Sequence, residues 1–162
     1  DPGLAFGTGT HPTTAMCLRW LDSHPPTGDT LIDFGCGSGV LAIAAIKLGA
    51  RAAVAVDHDP QAVLAAHDNA ARNQVLDQIR VLDSQDFAPF AADLMVANIL
   101  ANVLIELAAQ LGAMAKPGGR ILLSGILAGQ ADMVKRAYAS SVDFESDTHD
   151  GDWVLLSGTR RH

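Results

Sequence analysis

The stretch Leu31-Ile32-Asp33-Phe34-Gly35-Cys36-Gly37-Ser38-Gly39-Val40 limits the possible folds more than any other part of the chain. An apolar run carrying one acid passes into three alternating glycines, and Val40, Leu41, Ala44, Ala45 and Leu48 then recur at helical spacing. That order is a strand, a tight loop and a helix start. Glycines at 35, 37 and 39 remove the side chains that would keep a ligand off the backbone. The helix that follows aims unpaired N–H groups and a partial positive charge at the loop. The same pattern also describes a turn that only packs a helix onto a sheet, so the flanking chain has to decide.

After Gly49, Ala52 to Val56 reads as a short buried strand closing on Asp57, with Asp59-Pro60 as the cap and first residue of another helix. This is a β-α-β unit. Asp57 lies 18 residues beyond Gly39, close to the roughly 20-residue separation at which an acid ending the second strand reaches ribose hydroxyls. A carboxylate accepts from both hydroxyls of a diol, whereas Asp59 is sufficiently explained as a cap. The helix from Pro60 carries Val63, Leu64, His67, Ala70 and Ala71 and ends near Asn73. Ile79 to Leu82 is a third strand, followed by Asp83-Ser84-Gln85-Asp86, where either acid is simply solvated or accepts from an adenine amino group.

Asp93 to Ala97 is the fourth strand and ends in Asn98-Ile99-Leu100-Ala101. Asn98 therefore falls at a carboxyl strand end beside the first strand's turn. Two readings stay open: its amide holds an amine without charging the site, or it caps the next helix. One helical stretch with Val103, Leu104, Leu107 and Leu111 follows, then Lys116-Pro117-Gly118-Gly119 as a turn into a strand from Arg120 to Ser124. A helix around Met133, Val134, Ala137 and Tyr138 leads to two extended segments joined at Asp150-Gly151, a hairpin signal. The whole pass fits a Rossmann-type α/β sheet of five parallel strands closed by an antiparallel hairpin.

The opening segment, Leu4 to Thr14, crowds glycine, threonine and proline into a structured loop. Thr10 or His11 ahead of Pro12 caps the helix that carries Cys17, Trp20 and Leu21. This loop is either an ordinary N-terminal cap or a lid over a ligand, with Phe6 supplying an apolar face and Thr14 a hydroxyl. The start at Asp1-Pro2-Gly3, without methionine, leads to the expectation that a preceding segment has been removed.

Length and charge restrict the function classes. At 162 residues, 49% hydrophobic, the chain fits one domain with a full core. A net charge of -7 argues against an electrostatic grip on nucleic acid, so no direct nucleic-acid binding is expected. Cys17 and Cys36 show no metal spacing and read as reduced thiols of a cytoplasmic protein; no metal site is expected. No apolar run approaches the roughly 20 residues that span a bilayer, so no membrane partner is expected.

Ile32-Asp33-Phe34-Gly35-Cys36-Gly37-Ser38-Gly39 resembles the first motif of class I S-adenosyl-L-methionine-dependent methyltransferases. More narrowly, Asp1 to Thr14, Asp57-His58-Asp59-Pro60-Gln61-Ala62 and Val96-Ala97-Asn98-Ile99-Leu100-Ala101 are similar to the bacterial methyltransferases of ribosomal protein eleven of the large subunit. The resemblance covers essentially the whole chain. It implies a Rossmann-like class I methyltransferase fold, with a mostly parallel seven-stranded sheet and a C-terminal antiparallel hairpin. It also implies S-adenosyl-L-methionine as cofactor, held by Thr14, Gly35, Asp57 and Asn98 with Phe6 and Gly37 nearby; because such a transfer asks mainly for alignment of a neutral amine, Asn98, with nearby backbone carbonyls, is the catalytic candidate for orienting it. The implied reaction moves methyl groups to lysine and N-terminal amines of the ribosomal protein. Family members carry an N-terminal domain that docks that protein, and the expectation is that residues 1–162 are the catalytic domain without it. Two other classes stay in view: a nicotinamide oxidoreductase, disfavoured because the third glycine comes one residue early for Gly-x-Gly-x-x-Gly, and a non-catalytic cofactor-binding module. Within the first class, another amine substrate is the alternative.

Overall fold

The computed structural model describes residues 11–145 and 147–162. Strands β1 (Thr30–Phe34), β2 (Ala52–Asp57), β3 (Ile79–Asp83), β4 (Ala92–Asn98) and β5 (Ala115–Leu127) run parallel in the order β3-β2-β1-β4-β5. Strand β8 (Trp153–Arg160) pairs antiparallel with β5, and β6 (Val142–Phe144) and β7 (Thr148–Asp150) pair with opposite ends of β8 on its far side. Eight segments thus fill seven strand positions. Asp150 faces Trp153 across a two-residue turn in which Gly151 has φ +59°, the hairpin that Asp150-Gly151 announces.

Side-chain alternation explains why helices cover both faces. Leu31, Leu94, Val96, Leu122 and Leu155 point to one core, with Met16, Cys17 and Leu21 of α1 (Pro12–Ser23), Leu41 and Ala45 of α2 (Val40–Lys47), and Ala66 and Ala70 of α3 (Pro60–Arg72). Their sequence neighbours Ile32, Met95, Ala97, Leu123 and Leu156 point the other way. They meet Leu104 of α4 (Ala101–Glu106), Leu111 of α5 (Ala108–Ala113) and Val134 and Tyr138 of α6 (Ala131–Tyr138). After stepping outward from β1 to β3 the chain returns to place β4 on the other side of β1, so strand order reverses between them. Ligands of such sheets bind at that reversal, outside the carboxyl strand ends.

The helix starts follow their cap chemistry. His11 Nδ1 accepts from the Thr13 N–H at 3.2 Å ahead of Pro12, and the Asp59 side chain accepts from the Gln61 N–H at 2.9 Å ahead of Pro60. Two expectations are corrected. The single helix expected from Val103 to Leu111 is two, broken at Leu107, whose φ of −98° and ψ of 17° leave the helical region. Near that break the buried Tyr138 hydroxyl donates to the Leu104 carbonyl at 2.7 Å, in a last turn where intrahelical donors run short. The turn at Lys116 to Gly119 lies within β5: Ala115 pairs with Ala92 and Arg120 with Leu94, so the residues between bulge out of the ladder. Pro117 has no N–H to contribute to the pairing. Among the described residues, no helix is long and apolar enough to cross a membrane.

Removing the Tyr138 hydroxyl tests the packing of α6 on α4. Tyr138→Phe keeps the ring and loses one buried hydrogen bond, so thermal unfolding should show a loss of about 1 kcal/mol. An unchanged midpoint would mean that bond contributes nothing net.

Candidate functional site

The loop after β1 is held from three directions. The Gly35 and Cys36 N–H groups both donate to the Val56 carbonyl, at 2.8 and 2.9 Å. The Gly37 N–H donates to Asp57 Oδ2 at 2.9 Å, while Asp57 Oδ1 accepts from the Asp59 N–H at 3.0 Å. One carboxylate thus ties the β1 loop to the start of the segment after β2. Gly39 precedes α2 and has no side chain to cap it. Asp33, pointing from β1 beneath the helix, supplies the missing acceptor: its Oδ2 takes the Ala42 N–H at 3.2 Å.

The turn after β4 is fixed by close approach. A Cβ on Gly35 would stand 2.4 Å from Ile99 Cγ2, so only glycine lets that side chain close against the β1 loop. On the opposite side a Cβ on Gly125 would stand 2.3 Å from the Ile99 carbonyl oxygen, and the Ile99 N–H donates to the Ser124 carbonyl at 3.2 Å. Asn98 is consequently immobilised between β1 and β5. It is 7% exposed, its Nδ2 donates to Thr14 Oγ1 at 3.2 Å, and its buried Oδ1 has no donor among the described residues. An unmatched buried carbonyl oxygen costs about 1–3 kcal/mol, which a ligand N–H or O–H would recover.

Between the two turns lies a cavity of about 450 Å³, within the size range of small-molecule sites. Asp33, Gly35, Gly37, Asp57 and Asn98 line it, with apolar wall from Phe34, Ile99 and Leu100. A Cβ on Gly37 would meet nothing within 4 Å, so backbone faces open space there. Its acids differ in environment. Burial pushes Asp33 up to about 7, with the Asp57 charge adding to the effect and the Ala42 N–H opposing it. Burial likewise pushes Cys17 up to about 12 and holds Cys36 well above the usual thiol range, so both remain protonated thiols at neutral pH.

Gly35, Gly37, Asp57 and Asn98, all singled out in the sequence, line the same cavity. Thr14 is fully buried behind Asn98, and the described lining does not include it. Phe6 lies outside the described residues. Asp83 accepts from the Gln85 N–H at 2.9 Å, a local turn, and neither it nor Asp86 is on the described wall. Asp57 has a structural duty that its position at a strand end did not announce. Asp33 was noted as the acid of the apolar run but given no role, although an acid inside an otherwise apolar strand run was a readable signal.

Residues 1–161 match the family model described as ribosomal protein L11 methyltransferase. The chain belongs to that family. It is 57% identical over 162 residues to the ribosomal protein L11 methyltransferase of Alkalilimnicola ehrlichii, a match covering 99% of this chain and 55% of that protein. To the Pseudomonas putida protein of the same name it is 54% identical, covering 99% and 56%. The chain spans about half the length of the curated relatives it matches. The crystal structure of ribosomal protein L11 methylase from Lactobacillus delbrueckii subsp. bulgaricus superposes with a TM-score of 0.81 at 33% identity, covering 96% of this chain and 82% of that one. An RNA methyltransferase from Salinibacter ruber, solved in complex with S-adenosyl-L-homocysteine, shares the fold at a TM-score of 0.71 and 20% identity over 91% of this chain and 92% of that one. The Rossmann-like methyltransferase architecture expected from the sequence is thus the family's own.

The environment of Asp33 gives a stability test. Its folded-state pKa is raised from 3.8 to about 7, so the native state binds more protons than the unfolded chain between those values. The protonated carboxyl's contribution is complete below about pH 4 and is lost as pH rises through about 7. Asp33→Asn keeps an acceptor for the Ala42 N–H without the charge. The ligand-free variant should be more stable than the parent at about pH 8, by about 2–4 kcal/mol, with the difference vanishing near pH 4. Denaturant unfolding at the two pH values checks this; a variant equally destabilised at both would make Asp33 a structural acid only.

Proposed function

We propose that this chain binds S-adenosyl-L-methionine in the cavity between the β1 loop and the β4 turn and transfers its methyl group to lysine side-chain and N-terminal amines of ribosomal protein L11, in the cytoplasm. The observation that carries the reading is the unmatched, buried Oδ1 of Asn98, held rigidly on the wall of a cavity whose opposite side is a glycine loop closed by an acid, in a chain of this family. The residues fit the cofactor. Asp57 has lone pairs beyond those used by Gly37 and Asp59, and these suit the two ribose hydroxyls. Gly35 and Gly37 admit the ligand to the backbone, and Thr14 fixes which way the Asn98 amide points.

When bound, the sulfonium supplies a methyl group that is already electrophilic. What the protein must add is alignment of a neutral amine and exclusion of water. Asn98 Oδ1 would accept from an N–H, either the cofactor's ammonium or the substrate amine, and in the second case would point the nitrogen lone pair along the line of attack. Cys17 and Cys36 are held as thiols by burial and Asn98 does not titrate, so the amine's proton would pass to solvent. Contact of Phe6 with the cofactor and recognition of the ribosomal protein complete the proposal.

Calorimetry with S-adenosyl-L-methionine and with NAD, joined to a mass-spectrometric assay of methyl transfer to the purified ribosomal protein, tests the reading. Binding of the first ligand alone and transfer to amines are expected; binding of NAD alone, or binding without transfer to any amine, would contradict it. Asp57→Ala should weaken cofactor binding about 10- to 100-fold, the loss of one charged acceptor. Asn98→Ala should slow transfer more than it weakens binding; the reverse would make Asn98 a cofactor ligand only.

A further inference from the structure

Asp33 is 1% exposed, lines the cavity, and has no basic side chain within ion-pair distance among the described residues. Residues 1–10 contain no lysine, arginine or histidine to supply one. The described groups around it are neutral or acidic. In register on the flanking strands are Ala55 of β2 and Val96 of β4. From α2 comes the single Ala42 N–H, from α1 the Cys17 thiol, from the loop the Cys36 thiol, and from the end of β2 the Asp57 carboxylate. His58, the nearest imidazole on the wall, lies 3.6 Å from Asp57 Oδ1 and its side chain is 90% exposed. An ionised Asp33 therefore has no counter-ion among the described residues, and the adjoining space that can hold one is the cavity.

We infer that Asp33 makes this cavity select a sulfonium cofactor over its thioether product, which shares the cofactor's ammonium and carboxylate but has no charge on sulfur, the sulfonium displacing the proton of Asp33 on binding and the thioether leaving it in place. The inference rests on the cofactor reading above. The two ligands differ by one methyl and one positive charge: when the S–C bond breaks its electron pair stays on sulfur, and the positive charge passes with the methyl to the amine nitrogen, which sheds it as a proton to solvent. A carboxyl that takes a proton back from solvent once that charge has left keeps the cavity close to neutral. It thereby stabilises the product complex less than the cofactor complex by the charge interaction alone. The preference operates above the pH at which Asp33 ionises and fades below it.

Calorimetric titration of the full chain with S-adenosyl-L-methionine and with S-adenosyl-L-homocysteine, from about pH 6 to pH 8.5 in buffers of different ionisation enthalpy, reads affinity and proton count together. Affinity for the sulfonium should fall about tenfold per pH unit below about pH 7, with a proton released on binding, while affinity for the thioether stays nearly flat with none released. Asp33→Asn should lower sulfonium affinity at about pH 8.5, leave thioether affinity within about twofold, and abolish the differential pH dependence; His58→Gln should keep it. Equal pH responses for the two ligands in the parent chain, or a differential response that survives Asp33→Asn, would overturn the inference while leaving the cofactor reading intact. Failure of the parent to bind the sulfonium at about pH 8.5 would remove both. The proton count on the parent stands alone if the variant does not fold.

Discussion

Gly35 has no Cβ, and Ile99 takes up the space where one would be. That contact joins the loop after β1 to the turn after β4 at the point where strand order reverses, and the geometry of the cavity depends on it. With the two turns touching, Asn98 is carried onto the cavity wall and its amide is fixed by Thr14 from behind. Gly125 presses the backbone of the same turn from the β5 side, a contact that no rotamer change can relieve, so the wall is set from both strands.

The polar groups of the site form a graded set. Asp57 is engaged twice by backbone N–H groups and keeps acceptor capacity toward the cavity. Asp33 accepts one such bond and is buried, which disfavours its charge. Asn98 presents an acceptor without charge. A wall of this kind suits a ligand carrying both hydroxyls and a positive charge, and it offers no strong base, in keeping with a transfer whose main requirement is alignment.

Much of this was legible because it is local. The β-α-β unit follows from apolar runs, from Asp59-Pro60 and from glycine spacing, all of which act within a few residues. What escaped depends on distant partners. The stand-in cap of α2 by Asp33 links positions nine residues apart across a strand and a loop. The second duty of Asp57 appears only when β2 lies beside β1. The break at Leu107 leaves the apolar spacing of the helical stretch intact, so periodicity alone had no means of placing it. Thr14 reaches Asn98 across 84 positions, and no pattern near either residue announces it.

The central claim, that the cavity at the β1/β4 reversal receives the cofactor with Asn98 Oδ1 as a waiting acceptor, is tested most directly by a high-resolution crystal structure of the chain with S-adenosyl-L-homocysteine. The account predicts the ribose hydroxyls on the Asp57 carboxylate and an N–H of the ligand within about 3.2 Å of Asn98 Oδ1, with Nδ2 still on Thr14. A ligand bound elsewhere, or one seated in the cavity while the Asn98 oxygen turns to Thr14, would contradict it.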